Sequence, residues 1–250
     1  MNLRERFEFD LQGYLVIKNV LTESEIAILN EIADRNFKTY PYGEAVASKE
    51  TTLLPWGEPF RNLIDHPAVL PYLTDLLGSR LRLDHDYGMF MRKGDGHGGL
   101  HGGTGGSHWY SFRNGNMDNG LTVATFFLSD APAGAGGFCC VPGSHKSNYS
   151  VHDIPERVRD FRDDAHYVVQ PAVQAGDVLI FTEATMHGTI PWSADHERRA
   201  ILLKYSPGHS SWALDYYDLN SIPDLTAQQQ RIMAPPSVEK HPSVIEPSTE

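Results

Sequence analysis

At Leu81 the spacing of apolar residues changes, and this change restricts the architecture more than any other feature of the chain. In LRLDHDYGMFM, Leu81, Leu83, His85, Tyr87, Met89 and Met91 alternate with Arg82, Asp84, Asp86, Gly88 and Phe90. A period of two puts one set on one face of an extended chain, so the segment reads as a half-buried strand. LTVATFFL (121–128), FCCV (138–141), DVLIF (177–181) and AILLKY (200–205) are further strands, separated by turns such as PAGAGG and PGSH. Before Leu81 the pattern is mostly helical. After a short strand at GYLVI (13–17), Thr22 and Glu25 form a capping box, and Ile26, Leu29, Ile32 and Ala33 follow at helical spacing. A second helix is predicted from Pro67 to Leu77, ended by Gly78. Helices followed by a run of strands predict an α+β protein whose core is a β-sandwich or small barrel.

The formal charge of −11 is spread along 250 residues without a basic block, which excludes nucleic acid as a partner. The opening MNLRERFEFD has no apolar signal region, and no apolar run approaches the roughly 18 residues that span a bilayer, so no membrane partner is expected. The only cysteines, Cys139 and Cys140, are adjacent and cannot join distant segments; they read as small strand residues, and a reducing cytoplasm fits them. Residues 1–233 read as a single domain, and 234–250, rich in Pro, Ser and Glu, as a mobile tail. No GxGxxG opens a helix after a strand, and there is no phosphate-binding Walker loop or GxSxG elbow. A metal centre is the remaining candidate for chemistry.

Of twelve histidines, His66, His152, His166, His196, His209 and His241 lie in polar surroundings and need no special role, and His145 in PGSHK reads as fixing a turn. His85 is on the apolar side of its strand, either as a hydrogen-bonded core residue or lining a pocket. His187 stands apart: it follows DVLIF across the connection TEATM and precedes Arg198-Arg199 and another strand. Adjacent strand residues point to opposite faces, so only one of these arginines can face the interior. A guanidinium pointed inward needs a fixed anion, which a dicarboxylate cosubstrate would supply.

VATFFLSDAPAGAGGFCCVPGSHKSNY, GDVLIFTEATMHGTIPW and ERRAILLKYSPGH, with the opening FEFDLQGYLVIKNVLTESEI, closely resemble the phytanoyl-CoA dioxygenase family of Fe(II)/2-oxoglutarate oxygenases across roughly residues 8–210. The resemblance implies a double-stranded β-helix, a jelly-roll barrel flanked by N-terminal helices. It implies His101 and His187 as iron ligands, Arg198 as the clamp on 2-oxoglutarate, and Thr125 beside that cosubstrate. O2 and a small-molecule substrate would be the other reactants.

One ligand is absent. The family motif His-x-Asp/Glu reads His101-Gly102-Gly103 here, and no histidine in the chain is followed at +2 by a carboxylate. The leading reading is a radical halogenase, in which Gly103 leaves a metal position open for chloride. The alternative is a hydroxylase with a non-standard centre, completed by Glu183, by His108, by Asp118 or by water. A third reading is a redox-inactive jelly-roll binding protein. The segment after the proximal histidine should overhang the barrel mouth, where His108, Trp109, Tyr110 and Arg113, with His85, are the predicted substrate contacts. These residues suit a small polar or anionic metabolite, and no basic cluster fits the phosphates of coenzyme A.

Overall fold

The computed structural model describes residues 1–36, 52–105, 108–214 and 217–245, with the side chain of His97 excepted. Helix α1 (Leu3–Gln12), which the sequence reading does not contain, forms because Asn2 and Glu5 build a capping box and Gly13, at φ 83°, ends it. Helix α2 (Glu23–Asn36) starts at the predicted box, with Glu25 N donating to Thr22 Oγ1 at 3.3 Å and Thr22 N to Glu25 Oε2 at 2.8 Å. Helix α3 is short (Glu58–Arg61). Helix α4 (Leu70–Leu77) is three residues shorter at its start than predicted, because residues 67–69 form a turn ahead of it. Among the described residues no helix is long and apolar enough to cross a membrane.

Five of the six predicted strands form one antiparallel sheet in the order β1 (Tyr14–Ile17), β8 (Val178–Thr182), β6 (Thr122–Phe127), β10 (Arg198–Pro207), β2 (Leu81–Met91), and the sixth, FCCV, belongs to a second sheet. That second sheet has the order β3 (His97–His101), β9 (His187–Ile190), β7 (Gly137–Cys140). Strands β4 (Tyr110–Arg113) and β5 (Asn116–Asn119) make a separate hairpin. The larger sheet is covered on both sides. Val178, Ile180, Ala124, Phe126, Ile201 and Leu203 pack with the helices, while Leu179, Phe181, Val123, Phe127, Ala200 and Leu202 point the other way, toward the smaller sheet. The result is a jelly roll of two facing sheets rather than a closed barrel.

Two expectations need correction. Strand β2 is buried along its whole length rather than half-buried, because helices cover one face and the second sheet the other. Its alternation also breaks: Lys204 pairs with His85 but Tyr205 pairs with Leu83, so Asp84 is an extra residue, a β-bulge. Leu81 and Leu83 therefore face the helices, and Tyr87, Met89 and Met91 face the interior. The segment after Ala234 touches the body of the domain as far as Val244. Val244 is 1% exposed, its N–H donates to Ser79 O at 2.8 Å, and Ser237 N donates to Gly208 O at 2.7 Å. The rest of that segment, 246–250, lies outside the described residues.

Candidate metal centre

Strands β3 and β9 bring the two predicted ligands together. His101 and His187 are direct cross-strand partners, with ring centroids 4.4 Å apart. In each ring Nδ1 is engaged by a main-chain carbonyl: His187 with Thr185 O at 2.7 Å, His101 with Gly99 O at 2.9 Å. A donated Nδ1–H fixes the tautomer that leaves Nε2 with a lone pair, the arrangement usual for metal-binding histidines. Burial pushes His187 down to about 4, so the ring is neutral at pH 7.

The connection 183–186 is held from two sides. Met186 N donates to Ser144 Oγ at 2.8 Å, and Thr185 Oγ1 donates to Gly13 O at 3.3 Å. His145, in the PGSH turn, contacts Asp10 O at 3.0 Å through Nε2, and burial lowers it to about 4. Gly102 passes against the same connection: a Cβ there would lie 2.9 Å from Glu183 O, Thr185 O and His187 Nδ1. At Gly103, by contrast, a Cβ would meet only Met186 Cγ at 3.8 Å.

Glu183 is 3% exposed and lies beside this pair. Its Oε2 is 3.5 Å from His187 Nε2 and 3.9 Å from His108 Nε2, while Oε1 accepts from Lys204 Nζ at 2.7 Å. Burial alone would raise the Glu183 carboxyl, but the Lys204 ammonium outweighs it and holds the group ionised. Burial likewise lowers His108, so its contact with Glu183 is not an ion pair at pH 7. Among the described residues no three His, Cys, Asp or Glu side chains are already grouped around one metal position.

Arg198 is 2% exposed on β10, and burial lowers it to about 10. Its Nε has no hydrogen-bond partner among the described residues, and Nη1 reaches only Met91 Sδ at 3.6 Å. Gly137 gives it room, since a Cβ there would lie 2.7 Å from Arg198 Nε. Arg199 faces the other way, onto Asp34 and Glu197. A buried guanidinium without a carboxylate is costly, so the site is built for an anion that arrives from outside. Thr125 is buried on the same interior face, paired with Leu202 and Leu179. Two anchored imidazoles and an orphaned guanidinium fit a metal ion with a dicarboxylate cosubstrate.

The predicted substrate residues divide. His108 is beside Glu183, and His85 is interior, opposite Lys204. Tyr110 is turned away, its hydroxyl donating to Asp10 and its ring packed edge-on to His145. Trp109 precedes it, half-buried, at the start of the hairpin. Arg113 and Asp118 are exposed on that hairpin and line a groove with Arg6 and Asp75. The reason is topological: the hairpin packs on α4, and only His108, which precedes it, lies beside Glu183. Lys204, Tyr87 and Trp212 were missed. Lys204 had a signal, a lysine in step with Arg198 along an otherwise apolar strand.

Residues 9–200 match the phytanoyl-CoA dioxygenase (PhyH) profile. The chain belongs to the phytanoyl-CoA dioxygenase family. Its members are 2-oxoglutarate-dependent non-haem iron enzymes, and this family member is accordingly an oxidative enzyme of that class. It is similar to HygX from Streptomyces hygroscopicus, solved with nickel and 2-oxoglutarate bound, at 25% identity and TM-score 0.72 over 84% of this chain and 89% of that one. The iron-bound HygX structure matches at 24% identity and TM-score 0.71 over 84% and 88%. The non-heme alpha ketoglutarate dependent epimerase SnoN from nogalamycin biosynthesis shares the fold at 20% identity and TM-score 0.64, over 97% and 98%. No protein of curated function matches the chain by sequence.

Proposed function

We propose that the protein oxidises a C–H bond of a small polar metabolite, with His101 and His187 holding Fe(II), Arg198 holding 2-oxoglutarate beside Thr125, and Glu183 standing in for the carboxylate that Gly103 lacks. The observation that carries this reading is Glu183 Oε2 at 3.5 Å from His187 Nε2, a spacing at which two atoms can share one metal ion. When bound, iron supplies the oxidising power that breaks an unactivated C–H bond with O2 and 2-oxoglutarate as co-reactants. The chain's own contribution is positioning. Thr185 and Gly99 carbonyls orient the imidazoles, Lys204 keeps one Glu183 oxygen engaged and the other free, and Arg198 orients the cosubstrate. Oxygenation is favoured over halogenation on electrostatic grounds. A halide about 4 Å from the Glu183 carboxylate would meet a repulsion of about 4 kcal/mol at an effective dielectric of 20, offset in part by Lys204.

The halogenase reading has one observation in its favour, the open space at Gly103. Glu183→Gln separates the two. Under the oxygenase reading, Fe(II) affinity falls roughly tenfold or more and chloride has no effect on turnover. Unchanged affinity together with chloride-dependent turnover would transfer the assignment to the halogenase.

A further inference from the structure

Beyond the metal and its cosubstrate, the interior face carries a second polar group that the mechanism does not use. His85 Nδ1 is held by Asp84 Oδ1 at 2.8 Å, and Nε2 is buried without a partner among the described residues. The side chain is 8% exposed. An ordinary core histidine would have both nitrogens satisfied. With Nδ1 engaged by Asp84, Nε2 is left for a hydrogen-bonding group of a ligand, which a hydroxyl can supply.

Its position says which ligand. Arg198, Ala200, Leu202 and Lys204 share the interior face of β10, so Arg198 and Lys204 stand about 20 Å apart at 3.3 Å per residue. If 2-oxoglutarate takes the Arg198 end, the Lys204 end is left for the substrate. There His85 is the register partner of Lys204, with Tyr87 stacked beside it at 6.1 Å. Trp212 stacks on His85 at 4.9 Å and is 49% exposed. Lys204 Nζ is 6.0 Å from the Trp212 ring. The bulge fixes this arrangement. Asp84 accepts from Trp212 N and Ala213 N at 2.9 Å each, from Ser206 Oγ at 3.1 Å and from Arg82 Nη1 at 2.8 Å.

We infer that His85 and Trp212 form the substrate subsite, in which a ring bearing several hydroxyl groups lies against the indole and hydrogen-bonds through one hydroxyl to His85 Nε2. An aromatic surface beside a fixed hydrogen-bonding nitrogen and a cation matches a cyclic polyol or sugar, whose C–H faces are apolar and whose edges carry hydroxyls. An acyl chain would leave Nε2 unpaired. The inference rests on the reading of Arg198 as the cosubstrate clamp.

The test is calorimetric titration of the anaerobic Fe(II)/2-oxoglutarate-loaded protein with myo-inositol and methyl β-D-glucoside, with hexanoate as the apolar control. The polyols are expected to bind the wild type and to lose roughly tenfold or more in His85→Phe and in Trp212→Ala. The iron–cosubstrate charge-transfer band should be unchanged in both variants. Equal binding to wild type and His85→Phe, or binding of hexanoate in place of the polyols, overturns the subsite. Should His85→Phe fail to fold, the exposed Trp212→Ala decides by the same criterion. A missing band in the wild type refutes the metal reading instead, and the polyol titration of the metal-free protein then tests the subsite alone.

Discussion

Arg198, the proposed cosubstrate clamp, occupies a position that costs the folded protein stability. It is buried, its Nε has no partner, and the nearest acceptor for Nη1 is a methionine sulfur. Replacing an uncompensated buried charge by an apolar side chain of similar length removes a penalty. Arg198→Met is therefore expected to be more stable than the wild type by about 1–3 kcal/mol in chemical denaturation, while 2-oxoglutarate affinity falls about a hundredfold or more. A variant that lost both would mean that Arg198 is structural. Much of the proposed site was legible in the sequence: the resemblance named His101 and His187, which the structure pairs, and strand parity allowed only one of Arg198 and Arg199 inside. Lys204 was not legible in the same way. Its role depends on Glu183, which reaches it across the sheet from a turn 21 residues earlier, and no local pattern encodes that contact.

At the scale of elements, the site depends on how closely β3 crosses the connection before β9. Gly102, at φ +80°, leaves no room for a Cβ, whereas Gly134, at φ +84°, has nothing within 4 Å. Both would suffer backbone strain as alanine, of about 1–2 kcal/mol, and Gly102→Ala adds an overpacking cost of about 1–3 kcal/mol. Denaturation should thus rank Gly102→Ala as clearly the worse, and only that variant should weaken Fe(II) binding; equal losses would refute the close approach. The strands themselves were readable because period-two runs and Gly/Pro turns are local signals. The bulge at Asp84 was not, since LRLDHDYGMFM alternates without a break in sequence and the slip appears only in its pairing with β10. The hairpin misled for a related reason: its residues follow His101 closely, yet the chain turns away to pack on α4 and takes Tyr110 and Arg113 with it.

For the molecule as a whole, the two histidines buried nearest the 183–187 connection tie stability to pH. His145 and His187 are both lowered to about 4 by burial, against about 6.5 in an unfolded chain. Between these values the unfolded chain binds protons that the folded one does not, so stability of the metal-free protein falls as pH drops from about 6.5 toward about 4. Above about 6.5 these groups contribute no pH dependence. Melting temperatures at about pH 7.5 and about pH 5 should show the loss, and His145→Gln should reduce it; an unaltered difference would contradict the assignment. The two-sheet architecture matters here because it places Arg198 on one sheet and His101 and His187 on the other, so the proposed centre assembles only when the sheets face each other. That assembly is tested most directly by titrating the anaerobic protein with Fe(II) and 2-oxoglutarate and following the visible charge-transfer band, with and without chloride. The expected result is a band that appears only with both ligands, is lost in Arg198→Met at the same cosubstrate concentration, and does not shift with chloride. Absence of the band in the wild type would contradict the centre itself, and a chloride-dependent shift would contradict the role given to Glu183.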